Sequence, residues 1–170
     1  MQFTDFADQM AYHAEAIQRM TLGVTDAQAQ WKPLRDDWSI LEVICHLADE
    51  EREDFRARVA WALSGGTDAW HPIDPQGWVT SRGYNQRELV VCVADYLAER
   101  ETSLVWLAGL SEPNWSLEYP KPWVGTIRAG DFMAAWVAHD LLHLRQLVEL
   151  HYAWTMAQAQ PFSVQYAGDW

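Results

Sequence analysis

Ser39-Ile40-Leu41-Glu42-Val43-Ile44-Cys45-His46-Leu47-Ala48-Asp49-Glu50-Glu51 is the stretch on which the fold turns. Ser39 followed three residues later by Glu42 is a capping box, in which each side chain accepts a hydrogen bond from the other's backbone N–H. Trp38 and Val43 fall at the flanking staple positions. A helix therefore starts here, and Gly65-Gly66 is expected to end it at about Ser64.

Upstream, Phe3, Phe6, Met10, His13, Ile17 and Met20 recur at alternating spacings of three and four, the stripe of a helix from about Thr4 to Leu22. That stripe turns His13 toward the core. A connection from Gly23 to Asp37, containing Trp31-Lys32-Pro33, separates the two helices. Downstream, residues 67–84 carry Pro72, Pro75, Gly77 and Gly83 and read as a long loop, of the kind that covers a site. Asn85 followed by Glu88 gives a start signal for a third helix reaching about Leu110. Pro113, Pro120 and Pro122 keep the next connection irregular. A fourth helix is expected from near Asp131 to about Trp154, its carboxylate suiting the positive end of the helix dipole. The tail beyond is expected to pack over the bundle through Phe162, Tyr166 and Trp170. Long helices without strand alternation give an all-α, four-helix bundle with long connections. It is read as one domain over residues 1–170, with a core of about 3–154 and a tail of 155–170.

Composition narrows the function. Twelve Lys+Arg against 24 Asp+Glu leave a net charge of -12, which repels phosphate backbones and anionic lipid, so no nucleic-acid or membrane partner is expected. The start of the chain lacks a basic region followed by an apolar block, and no apolar run reaches transmembrane length, so a cytoplasmic location is expected. Cys45 and Cys92 lie in separate apolar segments without metal-ligand spacing and read as buried thiols. Most of the eleven tryptophans read as packing between helices, with a few left to line a pocket.

The chemistry sits on histidines. His139 and His143, four residues apart, point the same way one turn apart, on a face shared with Phe132, Ala135, Gln146 and Leu150. Such a pair can hold one metal ion, or each ring can satisfy itself on a carbonyl or carboxylate. His46, on the second helix, supplies a third imidazole. Three protein ligands leave positions open for water or substrate, the mark of a catalytic rather than a structural metal site. Asp49 and Glu50, three and four residues after His46, are candidates for orienting an imidazole or acting as general base. The alternative for both is a solvated acidic face shared with Glu51, Glu53 and Asp54. His13 can reach water at the metal, serve as a fourth ligand, or be a satisfied core histidine. His71 and His151 look peripheral.

Trp31-Lys32-Pro33, Asp37-Trp38-Ser39-Ile40 running into His46-Leu47-Ala48-Asp49-Glu50-Glu51, and Gly125-Thr126-Ile127 followed by His139-Asp140-Leu141-Leu142-His143-Leu144-Arg145-Gln146 together resemble the DinB/YfiT-like superfamily of metal-binding four-helix proteins. The resemblance implies that His46, His139 and His143 bind a divalent metal ion, nickel or zinc. It also implies a small-molecule substrate and either hydrolysis or transfer to a low-molecular-weight thiol such as bacillithiol or mycothiol. A carboxylate-bearing thiol calls for a basic pocket, which only Arg52, Arg56, Arg82, Arg128 and Arg145 could supply in this acidic chain. The competing readings are a non-catalytic stress-response module with a structural metal, and a metal-free core. A homodimer through helix faces suits the fold, although no heptad seam marks it.

Overall fold

Ser39 caps the second rod as its sequence requires. In the computed structural model, which describes residues 3–67, 69–121 and 125–168, Ser39 Oγ accepts the Glu42 N–H at 3.1 Å and Glu42 Oε2 accepts the Ser39 N–H at 2.9 Å. Lys32 Nζ, 2.7 Å from the other Glu42 oxygen, ties the preceding connection to this cap. The helix that follows, α3 (Ile40–Asp49), is buried at every residue, acids included. It continues through a π-helical turn (Glu50–Phe55) into α4 (Arg56–Leu63), and together these make one rod.

Three other rods surround it: α1 (Phe3–Arg19), α6 (Leu89–Ala108) and α7 (Ala129–Gln158). Two short helices, α2 (Asp26–Gln30) and α5 (Pro75–Ser81), occupy stretches expected to be irregular. Each is built from local chemistry: Thr25 Oγ1 accepts from Gln28 N, and Asp74 Oδ1 accepts from Gly77 N ahead of a proline at the first turn. Packing is chiefly α1 on α6 and α7, and α3–α4 on the same two helices. The first and second rods thus lie across the bundle from one another, and the long connection through α2 spans that diagonal.

Several expectations are corrected. Asn85 does not cap the third helix, because its side chain is committed to Ser39 Oγ and the Gln30 carbonyl, and α6 starts after Glu88 with no side-chain cap. The irregular connection contains an antiparallel pair, β1 (Glu118–Lys121) on β2 (Gly125–Arg128), with Glu118 opposite Arg128 and Pro120 opposite Thr126. Pro120 is tolerated because this ribbon has no inner strand. Pro122 lies outside the described residues. Asp131 accepts the Arg128 N–H at 2.7 Å, but helix α7 begins two residues earlier and runs past Trp154. The tail does not cover the bundle: Phe162 is 77% exposed and Tyr166 wholly so, while Trp170 lies outside the described residues. Among the described residues no helix is long and apolar enough to cross a membrane.

The core has two apolar halves. One gathers Ile17, Ile40, Ile44, Leu47, Tyr96 and Leu147, and includes Cys45 and Cys92, whose free thiols are hydrogen-bonded at 3.0 Å. The other gathers Met10, Val59, Phe132, Met133 and Trp136. Along every rod, a polar group separates the two halves. Arg100, 2% exposed, donates to Glu51 Oε1 at 2.5 and 2.9 Å, to both Asp140 oxygens at 2.7 and 2.8 Å, and to the Met10 carbonyl at 2.8 Å. Trp136 Nε1 and Ser103 Oγ donate to the Glu51 carboxylate, each at 2.7 Å. Burial resists ionisation of Asp140, yet hydrogen bonds from His13 and Arg100 hold its pKa below the usual range.

Replacing Arg100 by Met leaves two buried carboxylates without their cation. Loss of one partner from such a network costs about 3–5 kcal/mol, and urea denaturation of Arg100→Met is expected to register a fall of that size.

Candidate metal centre

His46 sits in the middle of wholly buried α3, while His139 and His143 come from the central turns of α7. The buried residues of α7 run through Phe132 and Leu150, as expected, and through Met133, Trp136, Val137, Asp140 and Leu147, with Ala135 exposed. The histidine pair therefore lies at the border of the buried stripe and not along its middle, because Asp140 takes the interior position beside Arg100. That border is where a site can be dry on one side and open on the other.

The three rings converge through their Nε2 atoms. His139 Nε2 is 3.3 Å from His46 Nε2 and 3.0 Å from His143 Nε2, and ligand atoms from all three residues lie within 4.8 Å of one another. Burial, followed by the repulsion of His143 and His139, lowers the His46 pKa to about 2; burial and His143 lower His139 to about 3, and burial also lowers His143. All three rings are neutral near pH 7. Each neutral ring has one N–H, and His143 places its proton on Nδ1, where Gln146 Oε1 accepts it at 2.8 Å. Its Nε2 is a bare lone pair. His139 can donate to one neighbour at most, so lone pairs are left converging on a common point. Nitrogens on a tetrahedral ion at about 2.0–2.1 Å stand roughly 3.3 Å apart. The two separations along the series, 3.0 and 3.3 Å, come close to that spacing.

Glu50 Oε1 lies 4.0 Å from His46 Nδ1, and both are buried atoms without a hydrogen-bond partner. Burial, and then the charge and hydrogen bond of Asp54, push the Glu50 pKa up to about 8. Glu50 faces the ring nitrogen turned away from the convergence point, which suits it to orienting His46 and not to ligation. The solvated acidic face fails as an account of this segment: Asp49, Glu50 and Glu51 are each under 5% exposed.

Asp49 and His13 belong elsewhere. Asp49 accepts from Arg52 at 2.6 Å, from Arg82 at 2.7 Å and from the Tyr84 hydroxyl; these outweigh burial and hold its pKa down. It fastens α5 and the turn after it to the second rod. His13 Nδ1 meets Asp140 Oδ2 at 3.3 Å and joins the Arg100 layer, so the satisfied-core reading of this residue is the one realised. His151 bonds the Met20 carbonyl at 2.7 Å. Among the arginines, Arg52, Arg56 and Arg82 are paired with acids on the second rod and α6, and Arg145 alone borders the site.

A cleft of about 700 Å³ opens over the imidazoles, bordered by Asp36, Trp38, Glu50, Gln76, Leu142 and Arg145. Trp38 stacks on His143 with ring centroids 6.3 Å apart and meets His46 edge-on at 4.8 Å. Phe55 closes the opposite side against His139 at 4.9 Å. Trp38 stood in the sequence as a staple residue and within the motif of the family resemblance, without a role at the site, and Phe55 carried no signal. Gln146 did, standing three residues after His143 on the same face.

The family model of the DinB superfamily matches residues 4–147, a span that includes all three histidines. The chain belongs to the DinB superfamily. Its fold is shared with YfiT from Bacillus subtilis, described as "a probable metal-dependent hydrolase with an unusual four-helix bundle topology". The two are 18% identical and superpose with a TM-score of 0.76 over 89% of this chain and 86% of that one. Curated proteins give no match. At that identity the likeness to YfiT shows the bundle, and the chemistry of this DinB protein rests on its own side chains.

Glu50→Leu separates stability from function in this centre. Removing a buried carboxyl group with one oxygen left unsatisfied is expected to raise metal-free stability by about 1–3 kcal/mol, read by urea denaturation. Freeing the His46 ring should weaken zinc affinity by about 10–100-fold, read by competition with a chromophoric chelator.

Proposed function

We propose that this chain is a metal-dependent hydrolase of small neutral molecules, holding zinc or nickel on His46, His139 and His143. The carrying observation is the convergence of three Nε2 atoms, 3.0 and 3.3 Å apart along the series, beneath an open cleft. Three ligands with a clear approach describe a catalytic site, whereas a structural site closes its fourth position. YfiT, described as a probable metal-dependent hydrolase on the same bundle, supports the reading.

When bound, such an ion supplies Lewis acidity and a water acidic enough to attack near neutral pH. The protein's residues have separate tasks. The imidazoles bind as neutral rings, which spares the deprotonation that metal binding otherwise requires. Gln146 accepts the His143 Nδ1 proton, which leaves that ring's Nε2 lone pair aimed at the common point, and Glu50 stands 4.0 Å from His46 Nδ1. Trp38 packs against two of the rings, edge-on to His46 and parallel to His143, and so holds their planes.

A carboxylate-bearing thiol fits the cleft less well. Asp36, Asp37 and Glu149 border it, and its one arginine, Arg145, already faces Glu149 at 3.3 Å. Neutral esters and amides avoid that repulsion.

Purified protein is expected to carry zinc or nickel, and to lose both metal and hydrolysis of a panel of neutral esters and amides on chelation. Re-addition should restore turnover. His143→Ala should lower metal affinity beyond the roughly 100-fold attributable to an orienting partner; equal metal content in this variant and wild type would falsify the site. A large drop in melting temperature on chelation, with no turnover on any substrate of the panel, favours a structural metal instead.

A further inference from the structure

Phe55 has two sides. One meets His139, with ring centroids 4.9 Å apart, and the other forms a wall of a second cavity of about 460 Å³. The remaining walls are Arg58, Trp70, Pro72, Ile73 and Phe132. Asp54, one turn after Glu50, stands at this second cavity as Glu50 stands at the first. Phe55, which also stacks on Trp136 at 6.0 Å, thus borders both the cavity and the imidazole of His139.

The charges at its wall are already committed. Arg58 donates from Nε to Asp54 at 2.8 Å and from a terminal nitrogen to the His71 carbonyl at 2.5 Å. Its guanidinium lies flat over Trp70, 3.7 Å from the ring centroid. Trp70 in turn tilts against Phe132 at 5.9 Å. What the cavity offers to a ligand is aromatic face, aliphatic edge and the flat back of a neutralised guanidinium. A recess of this size, open to solvent and lined mainly by apolar surface beside a reactive cluster, suits a bulky apolar group.

We propose that this cavity is a substrate subsite for a neutral apolar group, an aromatic ring or a branched alkyl chain. The polar group of the same molecule, the one to be cleaved, sits at the three imidazoles, and Phe55 borders both ends. This rests on the hydrolase reading for the identity of the polar end; the apolar end stands on the cavity itself. The substrate class is an ester or amide with a bulky uncharged apolar substituent, reaching past Phe55.

Two measurements on the full chain separate the two claims. Metal-free protein labelled at the isoleucine δ1 methyls is titrated with benzyl alcohol, a neutral probe that needs no metal. A saturable shift of the Ile73 methyl, with Ile17, Ile40 and Ile44 of the other core half unmoved, is the result expected. An unmoved Ile73 overturns the subsite. Next, acetohydroxamate and 3-phenylpropanohydroxamate are titrated calorimetrically into zinc-loaded protein. The phenyl compound is expected to bind about 10–100-fold tighter, the ratio for burying one such ring, and Ile73→Trp should erase that ratio while leaving acetohydroxamate binding intact. Equal affinity of the two compounds for wild type overturns the link between cavity and metal centre. If acetohydroxamate fails to bind while benzyl alcohol still shifts Ile73, the metal reading falls and the apolar site stands. The wild-type measurements decide the outcome even if Ile73→Trp does not fold.

Discussion

A guanidinium held between two carboxylates inside the bundle sets the register of everything else. Arg100 on α6 binds Glu51 from the second rod, Asp140 from α7 and a carbonyl of α1, so each of the four rods has one permitted height relative to the others. Taking three charges out of water makes such a layer a poor source of net stability. Its effect is positional. Glu51 lies five residues after His46, and Asp140 directly follows His139, so the pairing that satisfies Arg100 also brings the imidazoles level.

The metal centre inherits its shape from that layer and its reactivity from what the layer leaves unfinished. Beside a fully paired arginine stand one carboxyl oxygen of Glu50 and one ring nitrogen of His46 without hydrogen-bond partners. Buried polar atoms are normally satisfied, and those that are not concentrate where a ligand completes them. Three neutral rings sharing lone pairs at van der Waals range make the same point. Among the described residues the other buried side-chain atom without such a partner is the Tyr96 hydroxyl, in the first core half.

What could be read in the sequence was what depends on local periodicity. The capping box at Ser39, the stripe from Phe6 to Met20 and the four-residue spacing of His139 and His143 each reflect a helix acting on its own residues. The helical class and the histidine grouping were legible for that reason. Less legible was anything decided across the bundle. A buried Asp140 on the core face looks like a solvent residue in sequence, which moved the assumed inward stripe of α7 round to Ala135. Asp49 and Glu50 are adjacent and chemically alike, yet one is saturated by Arg52, Arg82 and Tyr84 while the other meets only a second acid, Asp54, and keeps one oxygen unpaired; no spacing rule distinguishes them. Asn85 carried a valid cap signal that a partner on another segment, Ser39, took over.

The π-helical turn at Glu50–Phe55 lets the second rod carry an extra residue between its histidine and the wall of the second cavity. Such a turn holds one residue more than regular helix can accommodate, so a one-residue deletion there would relax the backbone into ordinary α-helical bonding. The wide turn already takes up that residue's rotation, so later side chains would keep nearly the same bearing about the rod axis. Phe55 and Arg58 would stay at the second cavity while the three imidazoles kept their places. The turn is therefore where this rod can gain or lose a residue with least effect on either end.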